Sequence, residues 1–164
     1  MKRFVLLIAL FTIGISVNAQ YKQAIGLRFG LPSGLSYKTF TSEKNAIEGI
    51  LHLGNGIGLT GLYQIHNQAF GVTNLNWYYG FGGHVHATNR NFGAYGNGWR
   101  ASGRNNRPED GSLDLGINGV LGLEYTLQEI PLVFGLDISP IIGLSSAGGT
   151  YIGTASSLAI RFHF

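Results

Sequence analysis

The fold this sequence predicts is all-β: an eight-stranded antiparallel up-and-down transmembrane β-barrel preceded by a cleavable signal peptide. Three observations predict it. Apolar and polar residues alternate with a period of two through most of the chain after residue 20, the mark of strands with two chemically different faces. Glycine supplies 26 of the 164 residues and recurs inside those segments, where each would cost a helix about 1 kcal/mol relative to alanine. Charged residues make up only 12% of the chain, about half the share usual in a soluble globular domain.

The first 19 residues read as an address. Met1, Lys2 and Arg3 form a short basic start, residues 4–16 (FVLLIALFTIGIS) an apolar run, and Val17, Asn18 and Ala19 a compact stretch ahead of a cleavage point after Ala19. As a helix the apolar run reaches only about 20 Å, short of a hydrocarbon core of about 30 Å, so it predicts a signal peptide and not an anchor. The expected organisation is a signal peptide over 1–19 and one barrel domain over 20–164, a secreted precursor. Without Lys2 and Arg3, nine basic residues face eight acidic ones, so the basic balance gives no case for nucleic-acid binding. With no cysteine, disulfides, thiolate zinc sites and thiol nucleophiles are excluded.

Eight strands are expected, over about 24–32, 34–41, 46–54, 57–67, 74–88, 112–127, 132–143 and 154–164. Turn material separates them: Pro32-Ser33-Gly34, Ser42-Glu43-Lys44-Asn45, Gly54-Asn55-Gly56 and Gln128-Glu129-Ile130-Pro131. The connection over 67–73 is longer than the tight turns either side of it.

The chemistry of the two faces selects the solvent. On the last strand Leu158, Ile160, Phe162 and Phe164 oppose Ser157, Ala159, Arg161 and His163; on the fifth, Leu75, Trp77, Tyr79, Phe81 and Val85 oppose Asn76, Tyr78, His84, His86 and glycines. One face carries large apolar side chains without a charge. The other combines glycine with charge, which makes a poor dry core for a soluble sandwich but suits the tight polar interior of a small membrane barrel. Closure also removes strand edges that lipid does not tolerate. Tyr37, Tyr63, Trp77, Tyr79, Phe81, Tyr125, Phe162 and Phe164 are suited to interfacial aromatic girdles.

The closing residues Ser157-Leu158-Ala159-Ile160-Arg161-Phe162-His163-Phe164 resemble the C-terminal signal of bacterial outer-membrane barrels, with Ala159 where glycine is usual. The stretches Gly34-Leu35-Ser36-Tyr37-Lys38 and 42–49 (SEKNAIEG) are similar to small eight-stranded barrels of the OmpA/OmpX type, most of them uncharacterised. The resemblance covers the layout of the whole chain after the leader. It implies a Gram-negative outer-membrane location as an integral membrane protein, periplasmic termini, and Phe162 and Phe164 as the signal shown to the barrel assembly machinery. It supplies no catalytic residues. Outer loops are then expected near 32–34, 54–56, 89–111 and 144–153.

Eight strands leave a bore just wide enough for side chains, so inner charges must pair. Taking each hairpin as symmetric about its turn sets Lys38 opposite Glu48, Arg28 opposite Lys38, Asp137 opposite Arg161, and Arg161 beside Arg28 at the closure, with Glu124 near. This predicts a structural plug and no porin channel. His84 and His86 share a face; the same reading sets His86 opposite Asp114 and Gly58 between His52 and His84. His52, His84 and His86 are the candidates for zinc or copper, and a His–Asp pair near Ser112 the candidate for general-base chemistry on lipid A. Hydrogen-bonding spacers in a polar interior are the plainer reading, so no enzyme activity, cofactor or metal is expected. Residues 89–111 carry Arg90, Arg100, Arg104 and Arg107 with Trp99 and two further aromatics, opposed by Glu109 and Asp110. Such a loop fits phosphate, carboxylate or sugar, and lipopolysaccharide is the nearest source. The predicted role is structural or surface-interacting, as a monomer; a metal-binding or lipid-A-modifying barrel is the alternative.

Overall fold

A computed structural model describes residues 21–30, 33–54, 56–88, 112–146 and 150–164. Eight strands form one closed antiparallel barrel in sequence order: β1 (Gln23–Gly30), β2 (Gly34–Phe40), β3 (Asn45–Gly54), β4 (Gly56–Gln68), β5 (Leu75–Thr88), β6 (Leu113–Thr126), β7 (Leu132–Ser145) and β8 (Thr150–His163). The signal peptide expected over 1–19 and the outer loop expected over 89–111 lie outside the described residues. The expected strands all form, with β8 starting at Thr150 and not near 154, because its ladder with β7 continues to Leu144↔Thr150. The described part of β1 ends at Gly30, whose φ of 141° is open to glycine but rarely to other residues; positions 31–32 of the expected strand lie outside the described residues.

The long connection between β4 and β5 is a built turn. Ala69 N–H donates to Leu75 O at 2.8 Å and Val72 N–H to Ala69 O at 2.9 Å, while Phe70, Gly71 and Asn74 take positive φ. Phe70 is thereby held at the tip, almost fully exposed.

Pairing fixes the shape of the tube. The paired residues Arg161, Gly26, Ser36, Ile50, Thr60, His84, Gly116, Gly143 and Tyr151 lead once round the wall and return to β8 ten positions from the start. A stagger of that size in an eight-stranded barrel tilts the strands by about 40–45°. The end holding Gln23 and His163 is level. The opposite rim is not, since β5 to β8 have 14 residues each while β1 has 8 and β2 has 7.

Burial follows parity. Arg28, Lys38, Glu48, Asp114, Glu124, Asp137 and Arg161, which are all the Arg, Lys, Asp and Glu of the eight strands, point into the bore; Lys38, Glu48 and Arg161 have no exposed surface. The outer face presents Leu59, Phe81 and Leu136 at 56%, 67% and 59% exposure, together with all eight aromatics named above for the girdles. Inside, a small apolar cluster of Ile50, Leu62, Tyr78 and Val120 fills the β3–β6 side, and Tyr21, Ala24, Val133 and Phe40 close the level end.

Candidate functional site

The termini-side half of the bore holds three cations and three carboxylates. Parity places them: Arg28, Lys38, Glu48, Glu124, Asp137 and Arg161 are each the inward residue of a different strand. Arg28 bridges two carboxylates, with Nη1 at 3.0 Å from Glu48 Oε1 and Nη2 at 2.6 Å from Asp137 Oδ1. Lys38 Nζ lies 2.7 Å from Glu124 Oε2 and 4.6 Å above the Tyr78 ring. Arg161 pairs with Glu48 and, at 3.4 Å, with Glu124.

Neutral side chains satisfy what the ions leave. Glu48 accepts from Ser36 Oγ at 2.6 Å and from Gln64 Nε2 at 2.6 Å. Asp137 accepts from Tyr78 OH at 2.7 Å and from Ser157 Oγ at 2.8 Å. Tyr21 OH donates to Glu124 Oε1 at 2.7 Å. Buried charges cost several kcal/mol each unless paired and hydrogen-bonded, and here both conditions are met. The arrangement fills the bore chemically and leaves its ions mutually neutralised.

The expected members of this network come together, with Glu124 as a full member, but their wiring differs. Lys38 is in register with Glu48 yet pairs with Glu124 across the bore. Arg28 stands opposite Gly34, and Lys38 opposite Ala24, so Arg28 and Lys38 are not cross-strand partners. Asp137 faces Ser157 and Arg161 faces Val133, so the expected Asp137–Arg161 pair is replaced by Asp137–Arg28. Both β1–β2 and β7–β8 have their midpoints about two residues earlier than symmetric turns imply, which moves every partner by about four.

The half beneath the taller rim is polar and is joined by hydrogen bonds of imidazole, amide and hydroxyl groups. His84 Nδ1 lies 2.5 Å from Asn118 Oδ1 and His84 Nε2 lies 2.7 Å from Tyr151 OH. With the amide oxygen as acceptor, Nδ1 carries the hydrogen and Nε2 accepts from the phenol. His52 Nε2 is 2.8 Å from Thr60 Oγ1. His86 does stand opposite Asp114, but Gly58 sits between His52 and His86, with Thr60 facing His84. Among the described residues no group of three or more His, Cys, Asp or Glu is placed to hold a metal ion. Ser112 is buried, and His66 stacks on Tyr78 at 4.9 Å in the charged half. A cavity of about 30 Å³, room for about one water, lies between the halves against Arg28, His52, Asn118, Ser139 and Ser157.

Alternation alone marks Ser36, Gln64, Tyr78 and Ser157 as inward, so their presence was legible although their partners were not. Tyr21 precedes β1 and gives no periodic signal. Arg90, Arg100, Arg104, Arg107 and Trp99 lie outside the described residues. Phe162 and Phe164 face outward at the end of β8. No protein-family model, curated protein or solved structure matches the chain.

Proposed function

We propose that this chain is a monomeric integral protein of a bacterial outer membrane, delivered by the leader over 1–19 and plugged across its bore. One observation carries the reading: the polarity of the barrel is inverted. Every ionised strand residue is inside, and the outer face is a belt of exposed aliphatic and aromatic side chains without a charge. Soluble monomers rarely expose contiguous apolar patches beyond a few hundred Å², whereas lipid requires such a belt. The paired ions and tightly packed neutral groups support a plug and not a pore. Its role is then structural or surface-interacting, with lipid and lipopolysaccharide as neighbours and the arginine-rich loop over 89–111 as the segment best suited to contact them.

Extraction and gel mobility test this reading. The expected result is a protein found in detergent extracts of outer membranes that runs faster unboiled than boiled. Solubility in periplasmic extracts with no heat-dependent shift would overturn it. In planar bilayers the purified protein is expected to give no steady porin-like conductance, and reproducible large channels would refute the plug.

A further inference from the structure

Of the three cations in the termini-side half, only Lys38 can lose its proton and become a nucleophile, since a guanidinium stays charged. Its amine is held against one carboxyl, with Nζ 2.7 Å from Glu124 Oε2 and both side chains buried. β2 and β6 are not neighbours in the wall, so this contact crosses the bore. Glu124 is also the carboxyl least committed to guanidinium. Its contact with Arg161 is 3.4 Å, whereas Glu48 is held by both arginines and Asp137 by Arg28 at 2.6 Å. Its other oxygen, Oε1, accepts from Tyr21 OH at 2.7 Å. Beside that oxygen stands an atom the ion network does not use. His66 Nδ1 lies 4.0 Å from Oε1, is buried, and has no hydrogen-bond partner among the described residues. Gln64 Nε2 donates to Glu48, which turns the amide oxygen toward His66 Nε2 at 3.3 Å. Nε2 therefore carries the ring hydrogen and Nδ1 is a bare base.

We propose that Lys38 and Glu124 condense to an amide across the bore, with His66 carrying a proton. The ammonium first passes one proton to Oε2 along the 2.7 Å hydrogen bond, leaving an amine beside a carboxylic acid. Nζ then bonds to Cδ, and negative charge gathers on Oε1, where Tyr21 OH already donates. His66 Nδ1 takes a second proton from Nζ and delivers it to the Oε2 hydroxyl. The Cδ–Oε2 bond breaks and Oε2 leaves as water, so the step needs no co-reactant. Fixed orientation supplies what a free amine and carboxylic acid lack in solution. Burial supplies the direction, because the reaction removes two ions that are costly to keep away from water. It removes them as a pair, leaving Arg28 and Arg161 with Glu48 and Asp137, so the bore stays neutral. The product is a covalent strut between opposite sides of the barrel. It requires only the closed barrel, so the inference stands apart from the membrane reading.

The mass of the chain tests it, read after complete unfolding of protein purified in its folded form. The expected mass is lower than its residues sum to by one water. A tryptic digest should place the loss by joining the peptides that hold Lys38 and Glu124, uncut after Lys38. Lys38→Arg keeps the cation but not the nucleophile, and should show the full mass with the wild-type strand signal by circular dichroism. On refolding from urea, His66→Phe should form the bond about a hundredfold more slowly than wild type. Folded wild-type protein at full mass would overturn the proposal, and decides by itself should the arginine variant not fold. So would a missing water in Lys38→Arg, or a loss that the digest places at any other pair. An unchanged rate in His66→Phe would refute the proton transfer.

Discussion

The termini-side half of the bore holds Arg28, Lys38 and Arg161 interlocked with Glu48, Glu124 and Asp137, whereas the loop-side half holds His52, His84, Asn118, Thr60 and Tyr151 in neutral hydrogen bonds. Both halves are polar, but they solve different problems. The ions lie where Tyr21, Phe40 and Val133 close the end and the side chains have almost no exposed surface, so each charge needs a fixed counter-charge. The other half opens beneath the rim; Tyr151 is half-buried there, and water can replace a lost partner. Fixed pairing is therefore needed most where water is excluded.

That contrast can be broken most directly at Glu48, which accepts from Arg28, Arg161, Ser36 and Gln64. Glu48→Ala should destabilise the barrel by about 3–5 kcal/mol because two guanidinium groups lose a buried partner. Urea titration in lipid vesicles measures it, and a loss below about 1 kcal/mol would mean that water reaches the cluster. A double-mutant cycle between Arg28 and Asp137 should give a coupling of about 2 kcal/mol or more, while Asp137 and Arg161 couple more weakly. The reverse ranking would reject the ion pairs described above.

The tyrosines sharpen the comparison, since each half contains one whose hydroxyl donates to a named acceptor. Tyr78→Phe removes a donor from the buried Asp137 carboxylate and should cost about 1.5–3 kcal/mol. Tyr151→Phe removes a donor from His84 near the rim and should cost about 0.5–1 kcal/mol, as water takes the place of the phenol. Equal losses at the two sites would erase the distinction between the halves.

How much of this was legible in the sequence divides along the same physical line. Period-two alternation is a local property, so strand positions, the inward residues and the absence of outward charge follow from it. Ion pairing is not local. Lys38 and Glu124 are 86 positions apart on strands that are not neighbours, and meet only because long side chains reach across a narrow bore. Cross-strand pairs were legible where the turn midpoint was, as for Lys38↔Glu48 and His86↔Asp114, and displaced where it was not, as for Asp137 and Arg161. The uneven rim was invisible, because it depends on the unequal lengths of β1 and β8.

The span of the charge network along the chain bears on how the protein acquires its structure. Arg28 waits for Asp137, 109 residues later, and Glu48 for Arg161, 113 residues later. A chain that has assembled β1 to β6 alone would hold Arg28 and Glu48 without these partners, beside an unclosed wall. Such an intermediate is penalised by the charges themselves, so barrel formation should be cooperative and late contacts should dominate its rate. Partial chains ending before β7 would remain unfolded where the full chain succeeds. The charge network thereby acts as an internal test of completeness, satisfied only when the first and last strands have met.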